Sequence, residues 1–459
     1  MKKSITVLLT LFFSLSNVSA QTRFSAEQLK SDLDFLFNKM EYIHPNLYAY
    51  TSKEEIGKEI SLIKTEFKDS LNSIDFWFIV CPIVNRLHHG HTSITPQNTE
   101  MNKYMIKLQA TDFKYIPFSV IVTDSSIYIR DLYSNTKKIQ TGERVISING
   151  VKSSEILSKL IKYESGERNE YRLHYVEKRF IWNYPLCYPS SKYEVKYLDK
   201  GVEKTVLLTG ISEQETERYF VKAFPEADSN YRNYKFRLES KNIACIEYNA
   251  CVDYDNFKIF LDSSFTKIKQ NNIPNLIIDI RKNGGGDASL NSLLLTYLTD
   301  KPFNEYSKHI EKLTSDIRAS NEYYTQFKKD TIIERRTYVE NNVKNPLLFN
   351  GHIYLLTGIE TFSSGTQLAA LIKDYHLGEI IGQETGGIPT CYGDHFDFVL
   401  PNTKTNCRVS YKWSLRPSGV DDKRGVIPEI ILKPSLADIL LDRDKEMDYV
   451  LNLIKKTLR

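Results

Sequence analysis

Apolar residues recur at helical spacing near the start of the chain. Ser25 and Ser52 each begin a sequence that fits a helix capping box. After Ser25, apolar side chains return every three or four residues, at Leu29, Leu33, Leu36, Met40 and Ile43. A third apolar helix is expected from about Ile74. The pattern predicts an N-terminal helical domain over residues 21–100.

Short strands separated by turns replace this pattern from about residue 112. Apolar runs at 116–122 and 127–130 flank a polar turn, and Asn149-Gly150 follows another short buried run. We therefore expect a β-rich domain over residues 101–210. Residues 211–233 are polar and are predicted to be a connector.

Strands and helices alternate from residue 234 onward. Apolar runs at 243–248, 276–280 and 353–356 are typical of buried strands, and helical spacing separates them. This alternation favours an α/β domain over residues 234–459.

The first twenty residues have the pattern of a secretory signal peptide. Two lysines precede an apolar run, which ends at the small-residue sequence Val18-Ser19-Ala20. We expect cleavage after Ala20 and export, either periplasmic or secreted. The run is shorter than the ~20 residues that a membrane span needs.

Charge and cysteine content exclude several classes of partner. Removing Lys2 and Lys3 with the leader leaves 59 basic residues against 57 acidic ones, and no basic run stands out. Neither nucleic acid nor an anionic membrane is therefore an expected partner. The six cysteines show no metal-ligand spacing and are interpreted as buried free thiols. No metal and no cofactor are predicted.

Two strand–loop–helix units carry the candidate chemistry. In the first, glycines 284–286 follow a buried strand, and such a turn directs amide groups at a ligand. In the second, Ser363 and Ser364 stand where a strand leads into a helix. First-turn amides there favour developing negative charge, as an acyl-transfer nucleophile requires. Serine is also a common helix cap, so the pattern alone does not choose between the two serines.

A serine nucleophile needs a base, and several histidines are candidates. His91 follows a predicted helix, with His88 and His89 close by, and His395 lies beside Asp394. Asp421 and Asp422 lie in a polar loop and could supply an orienting carboxylate. Sequence distance does not reveal which of these groups meet.

Several segments resemble, in order, the blocks of the C-terminal-processing and tricorn-like serine peptidase family, also called tail-specific proteases. They are RLHHGHTSITP, NLIIDIRKNGGGD, YLLTGIETFSSGTQLAALIKD, IIGQETGG and GVIPEI. GERVISINGV is similar to the PDZ-like domain of that family. The resemblance implies a ββα, crotonase/ClpP-like catalytic domain, a PDZ-like β domain, and peptide or protein substrates.

The resemblance also implies roles for individual residues. Its Thr-x-Ser block makes Ser363 the nucleophile, and amides of Ser364 and of Gly284 or Gly285 the oxyanion hole. The lysine base of one branch is replaced by Ile388, which implies the tricorn-like branch, with a histidine base. That histidine is His91, and the matching acidic position is Asp422. Gly90 stands where tricorn has a serine.

Two other functions are compatible with the same residues. One is a catalytically silent protein that binds peptide ends or apolar ligands. The other is an esterase-like acyl hydrolase, because Ser–His chemistry also cleaves esters. The sequence does not predict substrate specificity or oligomeric state.

Overall fold

A computed structural model describes residues 22–123, 126–133, 139–228, 231–341 and 344–457. The predicted leader, residues 1–20, lies outside these residues, as does part of the turn predicted after residue 122. Among the described residues, none of the helices has the length and apolar content that crossing a membrane requires.

Helices dominate the first part of the chain. Its elements are β1 (Arg23–Phe24), α1 (Ala26–Ile43), α2 (Lys53–Glu66), β2 (Leu71–Asn72), α3 (Ser73–Asn85), β3 (Ser93–Thr95) and α4 (Asn98–Gln109). Both predicted capping boxes are confirmed, at Ser25 with Gln28 and at Ser52 with Glu55. The predicted apolar face of α1 is fully buried in the core that these helices share.

An antiparallel sheet with packed helices follows. Its elements are β4 (Phe118–Thr123), β5 (Ser126–Leu132), β6 (Arg144–Ile148), β7 (Val151–Lys152), α5 (Ser153–Leu160), α6 (Asn169–Cys187), β8 (Lys192–Asp199), β9 (Val202–Thr209) and α7 (Glu213–Ala223). The strands pair in the order β4-β5-β6-β8-β9. Helix α7 falls inside the predicted connector, where Ser212 and Glu215 form a capping box.

The rest of the chain is a mixed α/β region. Its elements are β10 (Tyr234–Ser240), β11 (Ile243–Tyr248), α8 (Tyr254–Gln270), β12 (Asn275–Asp279), α9 (Ser289–Leu295), β13 (Phe303–Asn304), β14 (Lys308–Leu313), α10 (Ser315–Ser320), β15 (Thr331–Glu334), β16 (Tyr338–Val339), β17 (His352–Thr357), α11 (Ser364–Asp374), β18 (Glu379–Gly382), β19 (Cys391–Gly393), β20 (Phe396–Val399), β21 (Asn406–Val409), β22 (Lys412–Leu415), β23 (Ile430–Ile431), α12 (Leu436–Leu440) and α13 (Lys445–Thr457).

A six-stranded sheet organises this region, in the order β10-β11-β12-β17-β18-β23. All neighbours are parallel except β10, which pairs antiparallel at the edge. Side chains of α8, α9 and α11 cover one face, and α13 covers the other. Because β12 and β17 are parallel neighbours, the loops after their carboxyl ends lie side by side. Ligands of such sheets bind at these ends.

A separate small sheet joins the helical segment to the α/β region. In it β3 pairs antiparallel with β21, with Ile94 opposite Cys407 and Ser93 opposite Arg408. This pairing fixes the segment that carries residues 88–92 against the carboxyl ends of the large sheet.

Candidate active site

Ser363 lies at the turn between β17 and α11, in a backbone conformation that side-chain-bearing residues rarely adopt. Its φ is 49° and its ψ is −122°. Such strain costs roughly 1–3 kcal/mol and clusters at active sites. Ser363 occupies the N-cap position of α11, yet its side chain makes no capping hydrogen bond. The usual structural role of a serine at this position is therefore absent.

Ser364 is engaged in a different contact. Its hydroxyl donates a hydrogen bond of 2.6 Å to the carbonyl of Gly286. That bond ties the first turn of α11 to the glycine loop after β12. Of the two serines, only Ser363 has a hydroxyl that faces a histidine.

His91 is that histidine. Its Nε2 atom lies 3.0 Å from Oγ of Ser363. The imidazole stacks on the ring of Phe362, with centroids 5.0 Å apart and planes at 28°. The pairing of β3 with β21 begins two residues later and holds this segment in place.

The environment of His91 keeps its imidazole neutral. Burial, together with the nearby positive charge of His395, lowers the pKa of His91 to about 4. The main chain of Tyr392 and the carboxylate of Asp394 oppose this shift without cancelling it. Nδ1 is buried and makes no hydrogen bond of ordinary geometry. At neutral pH the imidazole is therefore an unprotonated base.

No hydrogen bond among the described residues joins His91 to Asp422, the predicted orienting carboxylate. Asp422 is exposed, and its Oδ1 accepts a hydrogen bond of 3.0 Å from the Arg424 amide. The Arg424 side chain in turn pairs with Glu384, at 2.6 Å between Nη2 and Oε2. These contacts anchor the loop with the Asp422 carboxylate in solvent. Asp421 is also exposed and pairs with Lys423.

The other candidate histidines have partners elsewhere. His395 Nε2 lies 3.7 Å from Oδ2 of Asp397, although His395 lines the same cleft as His91. His89 Nε2 lies 2.9 Å from the Leu47 carbonyl, and burial lowers the pKa of His89 to about 4. His88 Nδ1 faces Arg172 at 3.3 Å. Of the four candidates, His91 alone is hydrogen-bonded to Ser363.

Residues with unengaged amide groups line the same cleft as Ser363. The Gly285 amide donates to Oδ1 of Asn283 at 2.9 Å, so it is already engaged. Within the described residues, the amides of Gly284 and Ser364 donate no hydrogen bond. A pair of unengaged amides beside a serine is suited to bind an oxyanion.

Gly285 must be a glycine for the loop to lie so close to Ser363. Its φ is +104°, and a Cβ atom there would lie 2.7 Å from Cβ of Ser363. Ile388, which occupies the lysine position of the other branch, is buried and lines the cleft. An aliphatic side chain cannot serve as a base there.

A cleft of about 1000 Å³ opens beside the Ser363–His91 pair. Charged side chains line it, including Glu311, Arg335 and Lys412. Glu311 is buried and lies 3.4 Å from Nζ of Lys412 and 3.7 Å from Nε of Arg335. No group of His, Cys, Asp and Glu in the described ranges is arranged to hold a metal ion.

Glu167 is a site residue that sequence reasoning missed. Its Oε1 accepts a hydrogen bond of 2.8 Å from the amide of Gly90, the residue before His91. The residue precedes α6, and no motif or periodic pattern distinguishes it from other glutamates. Only tertiary placement reveals it.

Comparison with known proteins shows that the α/β region is similar to a described family. Residues 242–432 match the model of peptidase family S41. Mature CPAF superposes with a TM-score of 0.63 at 14% identity, covering 92% of this chain and 95% of that chain. The structure of mature CPAF complexed with lactacystin superposes with a TM-score of 0.63 at 15% identity, covering 94% of this chain and 98% of that chain. Identity this low indicates a shared fold. No curated protein sequence matches the chain.

Proposed function

Since residues 242–432 match the model of peptidase family S41, we propose that this chain is a serine-type peptidase that hydrolyses peptide bonds with Ser363 as nucleophile and His91 as base. The observation that carries this assignment is the 3.0 Å contact between His91 Nε2 and Ser363 Oγ. Nucleophile and base must lie within this reach for proton transfer. The strained, uncapped backbone of Ser363 supports the same role.

Acylation is the first half of the proposed reaction. Ser363 Oγ attacks the carbonyl carbon of the scissile bond while His91 Nε2 takes the hydroxyl proton. The tetrahedral intermediate collapses when the imidazolium returns that proton to the leaving nitrogen. The C–N bond breaks, the amine product departs, and an ester joins the acyl group to Ser363.

Deacylation repeats these steps with water. His91 removes a proton from a water molecule, whose oxygen attacks the ester carbonyl. The second intermediate releases Ser363 Oγ, which recovers its proton from His91. The carboxylate product leaves and the free enzyme is restored.

Negative charge on the carbonyl oxygen is stabilised by the amides of Ser364 and Gly284 in this proposal. Both are unengaged, whereas the Gly285 amide is bound to Asn283. In other enzymes, removal of one such hydrogen-bond donor lowers kcat by about 10²–10³-fold. Gly285 is assigned a steric role, because it allows the loop to approach Ser363.

We also propose that the protein acts after export. The leader-like pattern at residues 1–20 supports this, with Gln21 as the first residue of the mature chain. The mass of the protein recovered from the exporting host tests it. A chain that retains residues 1–20 would contradict cleavage.

A fluorophosphonate probe tests the nucleophile directly. Wild-type protein should be labelled and should cleave a peptide or protein substrate, whereas Ser363→Ala should do neither. Ser364→Ala is the matched control, because its hydroxyl bonds Gly286 and should not react. Labelling that survives Ser363→Ala would overturn the assignment.

The base is tested by a second pair of variants. His91→Gln should lower kcat by about 10²–10⁴-fold, the usual contribution of a general base. His395→Gln, in the same cleft, should lower kcat much less. Equal losses in the two variants would contradict the assignment of His91.

A further inference from the structure

A buried carboxyl group contacts the main chain beside the proposed base. Glu167 lies just before α6, and its Oε1 accepts a 2.8 Å hydrogen bond from the Gly90 amide. Its second oxygen, Oε2, is buried and has no hydrogen-bond partner. The carboxyl group thus makes its one hydrogen bond outside its own segment to the residue that precedes His91.

The same carboxyl group occupies the space that a side chain at position 90 would need. A Cβ atom on Gly90 would lie 2.7 Å from Glu167 Oε2, 3.0 Å from Oε1 and 2.6 Å from Cζ of Phe362. Glycine at position 90 is therefore matched to glutamate at position 167. This explains why the residue before His91 has no side chain.

The neighbouring residue fixes Glu167 in position. Arg168 donates a hydrogen bond to the Thr385 carbonyl and lies 3.1 Å from Oε2 of Glu384. Glu384 also accepts from the Gly425 amide at 2.8 Å. The segment before α6 therefore contacts both the segment that carries His91 and the loops beyond β18.

We propose that Glu167 is a positioning residue for the catalytic base, holding the His91 segment through the Gly90 amide in place of an orienting carboxylate at Asp422. This inference rests on the proposed Ser363–His91 mechanism. It assigns to the sheet-and-helix region at residues 118–223 a direct part in assembling the site. Glu167 itself touches neither the substrate nor the reacting atoms.

The surroundings of Glu167 also predict that its carboxyl group titrates close to the segment that carries His91. Burial raises the pKa of Glu167 to about 7, although the Gly90 hydrogen bond opposes the shift. The titratable groups that face it are Tyr50, Tyr171 and Cys391. Burial raises the pKa of each of these, so all three are neutral near pH 7. Glu167 is then the group that changes charge in this cluster near neutral pH.

Kinetic comparison of Glu167 variants is the first test. Glu167→Leu removes the acceptor for Gly90 and should lower kcat at least tenfold, with KM within twofold of wild type. Glu167→Gln keeps an acceptor and should recover most of this loss. Glu164→Leu is the matched control, because Glu164 is a buried glutamate of the same segment but bonds Arg179 and Asn183. Unchanged kcat in folded Glu167→Leu, or an equal loss in Glu164→Leu, would overturn the proposal.

NMR of the His91 ring is the second test and needs only the conservative variant. In wild-type protein the ring resonances should shift with a midpoint near pH 7, and Glu167→Gln should abolish this shift. Glu164→Gln should preserve it, although burial also raises the pKa of Glu164 to about 7. If the His91 ring resonances of wild-type protein do not shift near pH 7, the inference is contradicted, even if Glu167→Leu fails to fold.

The two proposals fail separately in these experiments. Fluorophosphonate labelling of wild-type protein at Ser363 supports the peptidase mechanism whatever Glu167 does. If labelling and cleavage depend on Ser363 while the Glu167 variants behave like the Glu164 controls, the positioning role alone is lost.

Discussion

Nε2 of His91 lies 3.0 Å from Oγ of Ser363, although 272 positions separate the two residues along the chain. The contact joins a segment after α3 to the start of α11, and the β3–β21 pairing holds the two together. Neither the helical segment nor the α/β region contains both members of the pair. The site therefore forms only when these parts of the chain are docked.

The pH dependence of activity should reflect the buried state of His91. Burial and the charge of His395 lower the His91 pKa to about 4. The imidazole loses its capacity as a base only when pH falls through this value. The acid limb of kcat/KM, which reports ionisations of the free enzyme, should thus have a midpoint near pH 4 and be flat from pH 5 to 7.

A variant of His395 checks the cause of this shift. His395→Gln removes a positive charge that lowers the His91 pKa, so the midpoint of the acid limb should move upward. A wild-type midpoint near 6.5, the ordinary value for histidine, would show that His91 is not buried in the active form.

Replacing the strained serine with glycine should stabilise the fold. Ser363 has φ of 49° and ψ of −122°, which glycine adopts without strain. Relief of the backbone strain should stabilise the folded state by roughly 1–3 kcal/mol. The greater conformational entropy of glycine in the unfolded chain offsets about 0.4–1 kcal/mol of this, so the free energy of unfolding should rise by roughly 1 kcal/mol. Chemical denaturation measures it. Ser363→Ala retains the Cβ atom and the strain, so it should be less stable than Ser363→Gly; the reverse order would contradict the strain.

Sequence patterns succeeded where the structure is determined locally. The capping boxes at Ser25 and Ser52 and the buried strands β12 and β17 follow from short-range chemistry and were predicted. A strand–turn–helix pattern predicts the turn that carries Ser363, and only the family resemblance, through its Thr361-x-Ser block, selects Ser363 over Ser364. These features need little knowledge of distant contacts.

Sequence patterns do not predict the position of a side chain where that position depends on a contact with a residue far away in the sequence. The ion pair between Arg424 and Glu384, which are 40 residues apart, holds the loop of Asp422 in solvent. Glu167 reaches Gly90 across 77 positions by a single hydrogen bond. Helix α7 was interpreted as connector because its residues are mostly polar. In each case the missing information was tertiary.

Alanine at Gly285 should disrupt the turn over Ser363. A Cβ atom there would lie 2.7 Å from Ser363 Cβ and 3.0 Å from the Ser364 amide nitrogen, at a φ of +104°. Strain and overpacking together should lower the free energy of unfolding by roughly 2 kcal/mol or more. Gly284→Ala is the matched control, because a Cβ atom there meets nothing within 4 Å. The free energy of unfolding of Gly284→Ala should stay within about 0.5 kcal/mol of wild type. An equal loss of unfolding free energy in both variants would contradict the steric role of Gly285.

Removing the charge of Asp422 should have little effect on catalysis. Its carboxylate is exposed and bonds the Arg424 amide, so Asp422→Asn should keep kcat within about threefold of wild type. Steady-state kinetics on one peptide substrate measure this. A tenfold loss in folded Asp422→Asn would restore Asp422 as the orienting group of His91.

Glu360 should stabilise the turn that carries Ser363. Burial alone would raise the pKa of Glu360, but hydrogen bonds and charges from His174, at 2.8 Å, and Lys178, at 3.0 Å, lower it to about 2. The unfolded chain takes up this proton near pH 4.5 and the folded chain only near pH 2. The stabilisation is therefore complete above pH 4.5 and lost as pH falls through 2.

Glu360→Gln should lower the free energy of unfolding at pH 7 by roughly 1.5–3 kcal/mol, the range for hydrogen bonds to charged groups, because it removes the carboxylate that contacts His174 and Lys178. Denaturation curves for the variant and wild type should converge between pH 4.5 and 2, because protonation removes the same charge from wild-type protein. Glu334→Gln is the control, since Glu334 is exposed and lies 4.0 Å from Lys308. A loss that does not depend on pH would assign the effect of Glu360 to packing and not to charge.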